Sequence, residues 1–220
     1  MNTRLKADPS GTATRARARM VERVRELGIR DERVLTALLA VPRHHFVAEA
    51  LASRAYEDTA LPLGFQQTIS QPVVVARMIE ILVQDRADLG KTLEVGTGCG
   101  YQAAVLSHLA PEVYSVERIR KLLDLAKENL RLLRLPNVRL KCADGNLGLS
   151  EVAPFDSIIV AAASLGVPEA LKAQLAPNGR LLIPVGEDAQ RLLLIQRQGM
   201  FFKENWYETV RFVPMLAGIE

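Results

Sequence analysis

The chain has 220 residues, with 28 Lys and Arg against 25 Asp and Glu for a net charge of +3, and 49% of it is hydrophobic. That is enough apolar material for one full core of ordinary domain size, while no apolar run approaches the roughly 20 residues that a membrane-spanning helix needs. The two cysteines, Cys99 and Cys142, have no Cys or His partner at ligand spacing, which excludes a disulfide scaffold and a zinc site, and the arginines are spread rather than clustered, so nucleic-acid binding is not indicated.

Residues 1–18 are polar, with Pro9-Ser10-Gly11 in their midst, and are expected to be a mobile N-terminal segment ahead of a single domain over 19–220. The segment is rich in arginine but has no apolar signal core, so a soluble, cytoplasmic protein is expected. Met20, Val21, Val24 and Leu27 keep helical spacing up to Gly28. Asp31 is placed to cap a second helix carrying Val34, Leu35, Leu38 and Leu39, which Pro42 ends. The adjacent His44 and His45 cannot both face one metal easily, and a surface or interface role is expected.

From Tyr56 to Pro72 charges thin out and the chain reads as a loop ending in the polar run Gln66-Gln67-Thr68-Ile69-Ser70-Gln71. Pro72 suits the first turn of the next helix, whose buried face is Val74, Val75, Met78, Ile79 and Leu82. On spacing alone Ser70 is either a cap for that helix or a hydroxyl with chemistry to do.

Residues 92–101, Thr-Leu-Glu-Val-Gly-Thr-Gly-Cys-Gly-Tyr, read as a buried strand, a glycine turn and the opening of a helix over 101–109. Such a turn makes a nucleotide-type pocket, because main-chain N–H groups at a helix N-terminus can be approached closely. Strands 113–117, 138–142, 155–161 and 180–185 then alternate with helices 118–133 and 168–175, with a turn at 176–179. This alternation predicts an α/β, doubly wound, mostly parallel sheet with helices on both faces. Residues 191–197 and 200–204, joined at Gln198-Gly199, predict a closing antiparallel hairpin. Trp206, Tyr207, Val210, Phe212 and Val213 are expected to pack back onto the sheet as core.

Ligands of such sheets lie across the carboxyl ends of the strands, where three acids fall: Glu94, Glu117 and Asp144. Glu117, about 20 residues beyond the glycines, can accept hydrogen bonds from both hydroxyls of a ribose, in a dinucleotide and in an adenosyl ligand alike. Glu94, two residues before the first glycine, is awkward beside a pyrophosphate but acceptable near an amino group or a sulfonium, which favours S-adenosylmethionine over NAD. Asp144 with Gly145 would sit at the adenine edge.

Asp31 to Pro42, Ala55-Tyr56-Glu57-Asp58, Gln67-Thr68-Ile69-Ser70-Gln71-Pro72, Leu93 to Tyr101, Tyr114 to Arg118, Asp144-Gly145, Pro154-Phe155-Asp156, Ile183 to Gly186 and Arg211 to Pro214 together resemble the protein-L-isoaspartate O-methyltransferases. The likeness covers nearly the whole chain from Met20 on. It implies a Rossmann-like core (73–186) with an N-terminal helical extension and active-site loop (19–72) and a C-terminal hairpin and cover (187–220). It further implies methyl transfer from S-adenosylmethionine to the carboxylate of L-isoaspartyl residues in damaged peptides and proteins, by a monomer, with no metal. By the same resemblance Ser70 is the active-site residue, Gln67, Thr68, Ile69, Glu94, Gly96, Thr97, Gly98, Gly100, Glu117, Asp144 and Gly145 form the cofactor site, and Thr68 and Ile69 also shape the acceptor wall. The family usually carries a second glycine where this chain has Gln66. A small-molecule or RNA methyltransferase on the same core is the alternative, with a dinucleotide-dependent oxidoreductase and a non-catalytic adenosyl-binding module behind it.

Overall fold

In chain order the apolar periods of the sequence become helices and strands, and the computed structural model describes residues 11–220. Helix α1 spans Thr12–Glu26 and buries Met20, Val21 and Val24. It begins earlier than residue 19, so 12–18 belong to the helix; residues 1–10 of the expected N-terminal segment lie outside the described residues. Helix α2 (Glu32–Ala40) is capped as its sequence predicts, the Asp31 side chain accepting the Arg33 N–H.

The expected loop contains a small hairpin, β1 (Leu61–Gly64) paired antiparallel with β2 (Gln67–Ile69). Its two turn residues, Phe65 and Gln66, have φ of 51° and 57°, the positive values that a two-residue primed turn requires. Neither is a glycine, asparagine or aspartate, so the sequence carries no turn signal there. Helix α3 (Pro72–Val83) follows with Pro72 in its first turn, and its Val73 N–H is taken by the Asp58 carboxylate at 3.0 Å. The cap position is Gln71, and the cap alternative for Ser70 does not hold.

The central sheet is built from β3 (Lys91–Val95), β4 (Glu112–Glu117), β5 (Val138–Cys142), β6 (Phe155–Val160), β7 (Leu175–Val185), β8 (Gln190–Gln198) and β9 (Phe201–Val210), in the order β5-β4-β3-β6-β7-β8-β9. The pairings among β3 to β7 are parallel, and β7-β8 and β8-β9 are antiparallel. Helix α4 (Tyr101–Leu106) stops short of residue 109, α5 runs over Arg120–Leu133, and α6 is only Glu169–Ala173. The predicted turn at 176–179 is absorbed into β7 as an irregularity in its register with β6.

The chain lays β4 and β5 on one side of β3 and then crosses to β6 on the other, so the topological switch lies at the carboxyl ends of β3 and β6. Leu93, Ile158, Ile159, Leu181 and Leu182, all fully buried, hold those strands in place, each worth about 1.5–3 kcal/mol relative to exposure. The far edge differs from expectation. Strand β9 has no neighbour beyond it among the described residues, and Trp206 is 47% exposed, so it is surface rather than core, as is Phe201 of the hairpin at 80%, while Tyr207, Val210 and Phe212 are partly buried against the core.

Candidate active site

A cavity opens at the switch point, walled by the glycine turn, the ends of β4 and β6, the hairpin β1-β2 and the last residues of the chain. Gly96, Gly98 and Gly100 have φ of 93°, 55° and 89°, all in the region that side chains disfavour, and this path turns β3 sharply into α4. The turn is fixed from below: the Gly96 and Thr97 N–H groups donate to the Val116 carbonyl at 2.9 and 3.2 Å.

Glu117 holds the turn from the side. Its Oε2 accepts the Gly98 N–H at 2.9 Å and its Oε1 accepts the Ile119 N–H at 3.0 Å. Each oxygen keeps a further lone pair, and the side chain lines the cavity. A pair of acceptors in that position fits the two ribose hydroxyls of an adenosyl ligand.

Behind the wall runs a buried polar chain. Thr97 Oγ1 lies 2.6 Å from Ser115 Oγ, which donates to Glu94 Oε2. Glu94 is fully buried and does not line the cavity. Its other oxygen, Oε1, and Gln102 Nε2 are buried without a hydrogen-bond partner among the described residues. Burial pushes the Glu94 carboxyl up to about 8, against the opposing influence of Ser115 and Gln102. Cys99 also lines the cavity, and burial pushes its thiol up to about 11, so at neutral pH it is neither thiolate nor nucleophile.

Of the residues expected to form the site, Gln67, Thr68, Ile69, Ser70, Gly96, Thr97, Gly98, Glu117 and Gly145 come together on this wall. Glu94, Gly100 and Asp144 do not. A Cβ on Gly100 would press on Leu130 and Ala126 of α5, so that glycine serves helix packing. Asp144 turns to the C-terminal tail, its carboxylate accepting the Gly218 N–H at 2.7 Å and the Asn146 N–H at 2.8 Å. Burial works against its charge, but the hydrogen bonds from Gly218 and Asn146 outweigh that and hold the carboxyl below the usual range. Cys142, at the end of β5, is half-buried.

Sequence reasoning missed the tail. Val213, Pro214, Met215 and Leu216 line the cavity, held by a Met215 N–H to Ala163 carbonyl bond of 2.7 Å. Phe212 and Val213 stood out as expected core and Arg211 to Pro214 as part of the family likeness, neither as a cavity wall, and no periodicity marked residues 215–220. The Ser70 hydroxyl reaches the cavity wall with no hydrogen-bond partner among the described residues. His44 Nδ1 lies 2.6 Å from the Tyr56 hydroxyl, away from the cavity wall. No cluster of potential metal ligands occurs among the described residues, and no helix there is long and apolar enough to cross a membrane.

A parallel sheet with its ligand cavity at the switch point, a glycine turn after the first strand and an acid bridging that turn from the next strand define an S-adenosylmethionine-dependent methyltransferase. The family described as protein-L-isoaspartate(D-aspartate) O-methyltransferase matches residues 15–220. A protein-L-isoaspartate O-methyltransferase of Azoarcus sp. (strain BH72) is 71% identical over 208 residues, covering 94% of this chain and 96% of that one. Another, of Aromatoleum aromaticum (strain DSM 19018 / LMG 30748 / EbN1), is 67% identical over 213 residues and covers 97% of each chain. Among solved structures, a protein-L-isoaspartate O-methyltransferase superposes with a TM-score of 0.83 at 30% identity, over 92% of this chain and 67% of that chain. A Plasmodium falciparum chain described as a protein-L-isoaspartate O-methyltransferase, in complex with S-adenosyl-L-homocysteine, gives 0.80 at 26% identity, over 91% of this chain and 98% of that one. The chain belongs to the protein-L-isoaspartate O-methyltransferase family. Its activity is the transfer of a methyl group from S-adenosylmethionine to the carboxylate of L-isoaspartyl residues in damaged proteins.

Proposed function

We propose that Ser70 aims the isoaspartyl carboxylate while Glu117 and the turn 96–98 hold the nucleoside end of S-adenosylmethionine. The observation that carries this reading is that Ser70, Thr68 and Glu117 line one cavity, with the Ser70 hydroxyl unengaged among the described residues. S-Adenosylmethionine supplies a methyl group already activated on a sulfonium sulfur. The acceptor carboxylate is ionised at neutral pH, so the chain needs no general base, in keeping with a cavity whose Cys99 thiol is held un-ionised by burial.

What remains for the protein is alignment and exclusion of water. Ser70 donates one hydrogen bond to the acceptor, enough to orient it without quenching it as a nucleophile. Thr68 and Ile69, on the edge of a two-stranded hairpin, shape the same wall and offer main-chain groups to an extended peptide. Ile119, Leu122, Val213 and Leu216 supply the apolar surface that keeps water out. Peptides and proteins bearing isoaspartyl, and by the family description D-aspartyl, residues are the proposed substrates, met by a cytoplasmic monomer that takes no nucleic acid.

The test is Ser70→Ala. Turnover on an isoaspartyl peptide is expected to fall about 10-fold or more, within the range for loss of one aligned donor, while affinity for S-adenosylhomocysteine stays within twofold. Equal loss of both contradicts the assignment.

A further inference from the structure

Arg43, in the short helical turn Arg43–Phe46, is fully buried, a state that arginine side chains almost never adopt unless an acid pairs with them. Here no acid is in contact among the described residues. Its Nε donates to the Ala55 carbonyl at 2.9 Å and its Nη2 to the Ser70 carbonyl at 2.7 Å, and Nη1 has no partner among the described residues. The guanidinium carbon stands 4.6 Å from the centre of the Tyr101 ring, whose own hydroxyl is buried without a hydrogen-bond partner among the described residues. Asp58 adds some attraction from a distance, but its carboxylate is engaged by the Val73 N–H.

This cation stands directly behind the active-site wall: it is bonded to the main chain of Ser70, and Tyr101 lines the same cavity as Ser70. Guanidinium groups keep their proton even when desolvated, so the positive charge is permanent and reaches the cavity through low-dielectric protein with little screening. A ligand that brings one negative charge to Ser70 completes the pair; a neutral ligand leaves it incomplete.

We propose that Arg43 is a positioning residue that makes the Ser70 subsite selective for anions, favouring the isoaspartyl carboxylate over its neutral amide and over the methyl ester that the reaction yields. The inference rests on the proposed placement of the acceptor at Ser70. Methylation removes the acceptor's charge, so the same arginine that favours substrate binding disfavours product retention. Because the acceptor also loses charge on the way to the transition state, a cation placed behind a carbonyl rather than in contact stabilises chiefly the bound ground state. Its removal is therefore expected to raise KM for the peptide without lowering kcat.

The experiment uses enzyme loaded with S-adenosylhomocysteine and two peptides that differ only in one residue, isoaspartate or isoasparagine. The natural protein is expected to bind the acid on the order of tenfold more tightly than the amide, the scale of one charge pair across several ångströms of protein. Arg43→Gln, which keeps donors for the two carbonyls and removes the charge, is expected to lose that preference while holding its affinity for the amide. Arg43→Lys keeps the charge and is expected to keep the preference. In steady state Arg43→Gln is expected to raise KM for the acid peptide about tenfold with kcat no lower than in the natural protein. A preference that survives Arg43→Gln, disappears in Arg43→Lys, or is absent from the natural protein overturns the inference, as does equal weakening of both peptides. Failure of the natural protein to bind either peptide would instead overturn the placement of the acceptor at Ser70, and the inference with it.

Discussion

The Asp144 carboxylate accepts the main-chain N–H of Gly218 at 2.7 Å, tying the loop after β5 to the last turn of the chain. Two residues on, Glu220 donates its N–H to the Arg118 carbonyl and accepts the Arg120 N–H, each at 2.8 Å. The tail is thus bonded to both strand-end loops, and Val213 to Leu216 close the cavity between them. Deleting residues 217–220 removes these bonds at a net cost of about 1 kcal/mol for each. Dissociation of S-adenosylhomocysteine, followed by stopped flow, is expected to quicken about tenfold or more, because several such bonds act together. An unchanged rate would mean that the tail is passive.

Glu94 gives the protein a pH dependence opposite to that of an ordinary acid. Its carboxyl is raised from 4.5 to about 8 by burial, so the folded state holds a proton that the unfolded chain releases near 4.5. Stability therefore falls as pH rises through the window from 4.5 to about 8, by up to about 1.4 kcal/mol per pH unit from this group, and levels off above it. Glu94→Gln removes the dependence. Thermal melts at pH 5 and pH 8 are expected to show the two proteins drawing apart with rising pH, the variant becoming the more stable; parallel profiles would contradict a raised carboxyl.

At Gln66 the chain keeps a left-handed backbone, φ 57°, where the family usually has glycine. A left-handed backbone costs a residue that is not glycine about 1–2 kcal/mol. Gln66→Gly is expected to raise stability by about 0.5–1 kcal/mol after the extra entropy of the unfolded glycine is subtracted, with activity retained. Denaturant unfolding checks it, and a less stable variant would show that Gln66 is held by contacts that outweigh its backbone.

Much of this architecture was legible because burial imposes period. Leu93 and Val95, Ile158 and Ile159, and Leu181 and Leu182 are covered on both faces, and their strands read as apolar runs. The glycine turn announced itself by its spacing, and Glu117 by its place at the next strand end. Other features carried no local signal. Asp58 caps α3 from 15 positions upstream in the chain, and Ser115 holds Glu94 from a neighbouring strand; both are products of tertiary contact. Glu94 was correctly placed at a strand end, but which side of the wall its carboxylate takes depends on Ser115, which a sequence does not pair with it. Trp206 reads as core because it is apolar, yet no element covers the β9 edge among the described residues. The phenylalanine and glutamine of the β1-β2 turn hid a hairpin that glycine or asparagine would have revealed.

The most direct test offers S-adenosylmethionine labelled in its methyl group, with two peptides identical except for one residue, aspartate or isoaspartate. The account predicts label on the isoaspartyl peptide alone, released as methanol by mild base as a carboxyl ester must be. Equal labelling of both peptides, or label that withstands base, would contradict it.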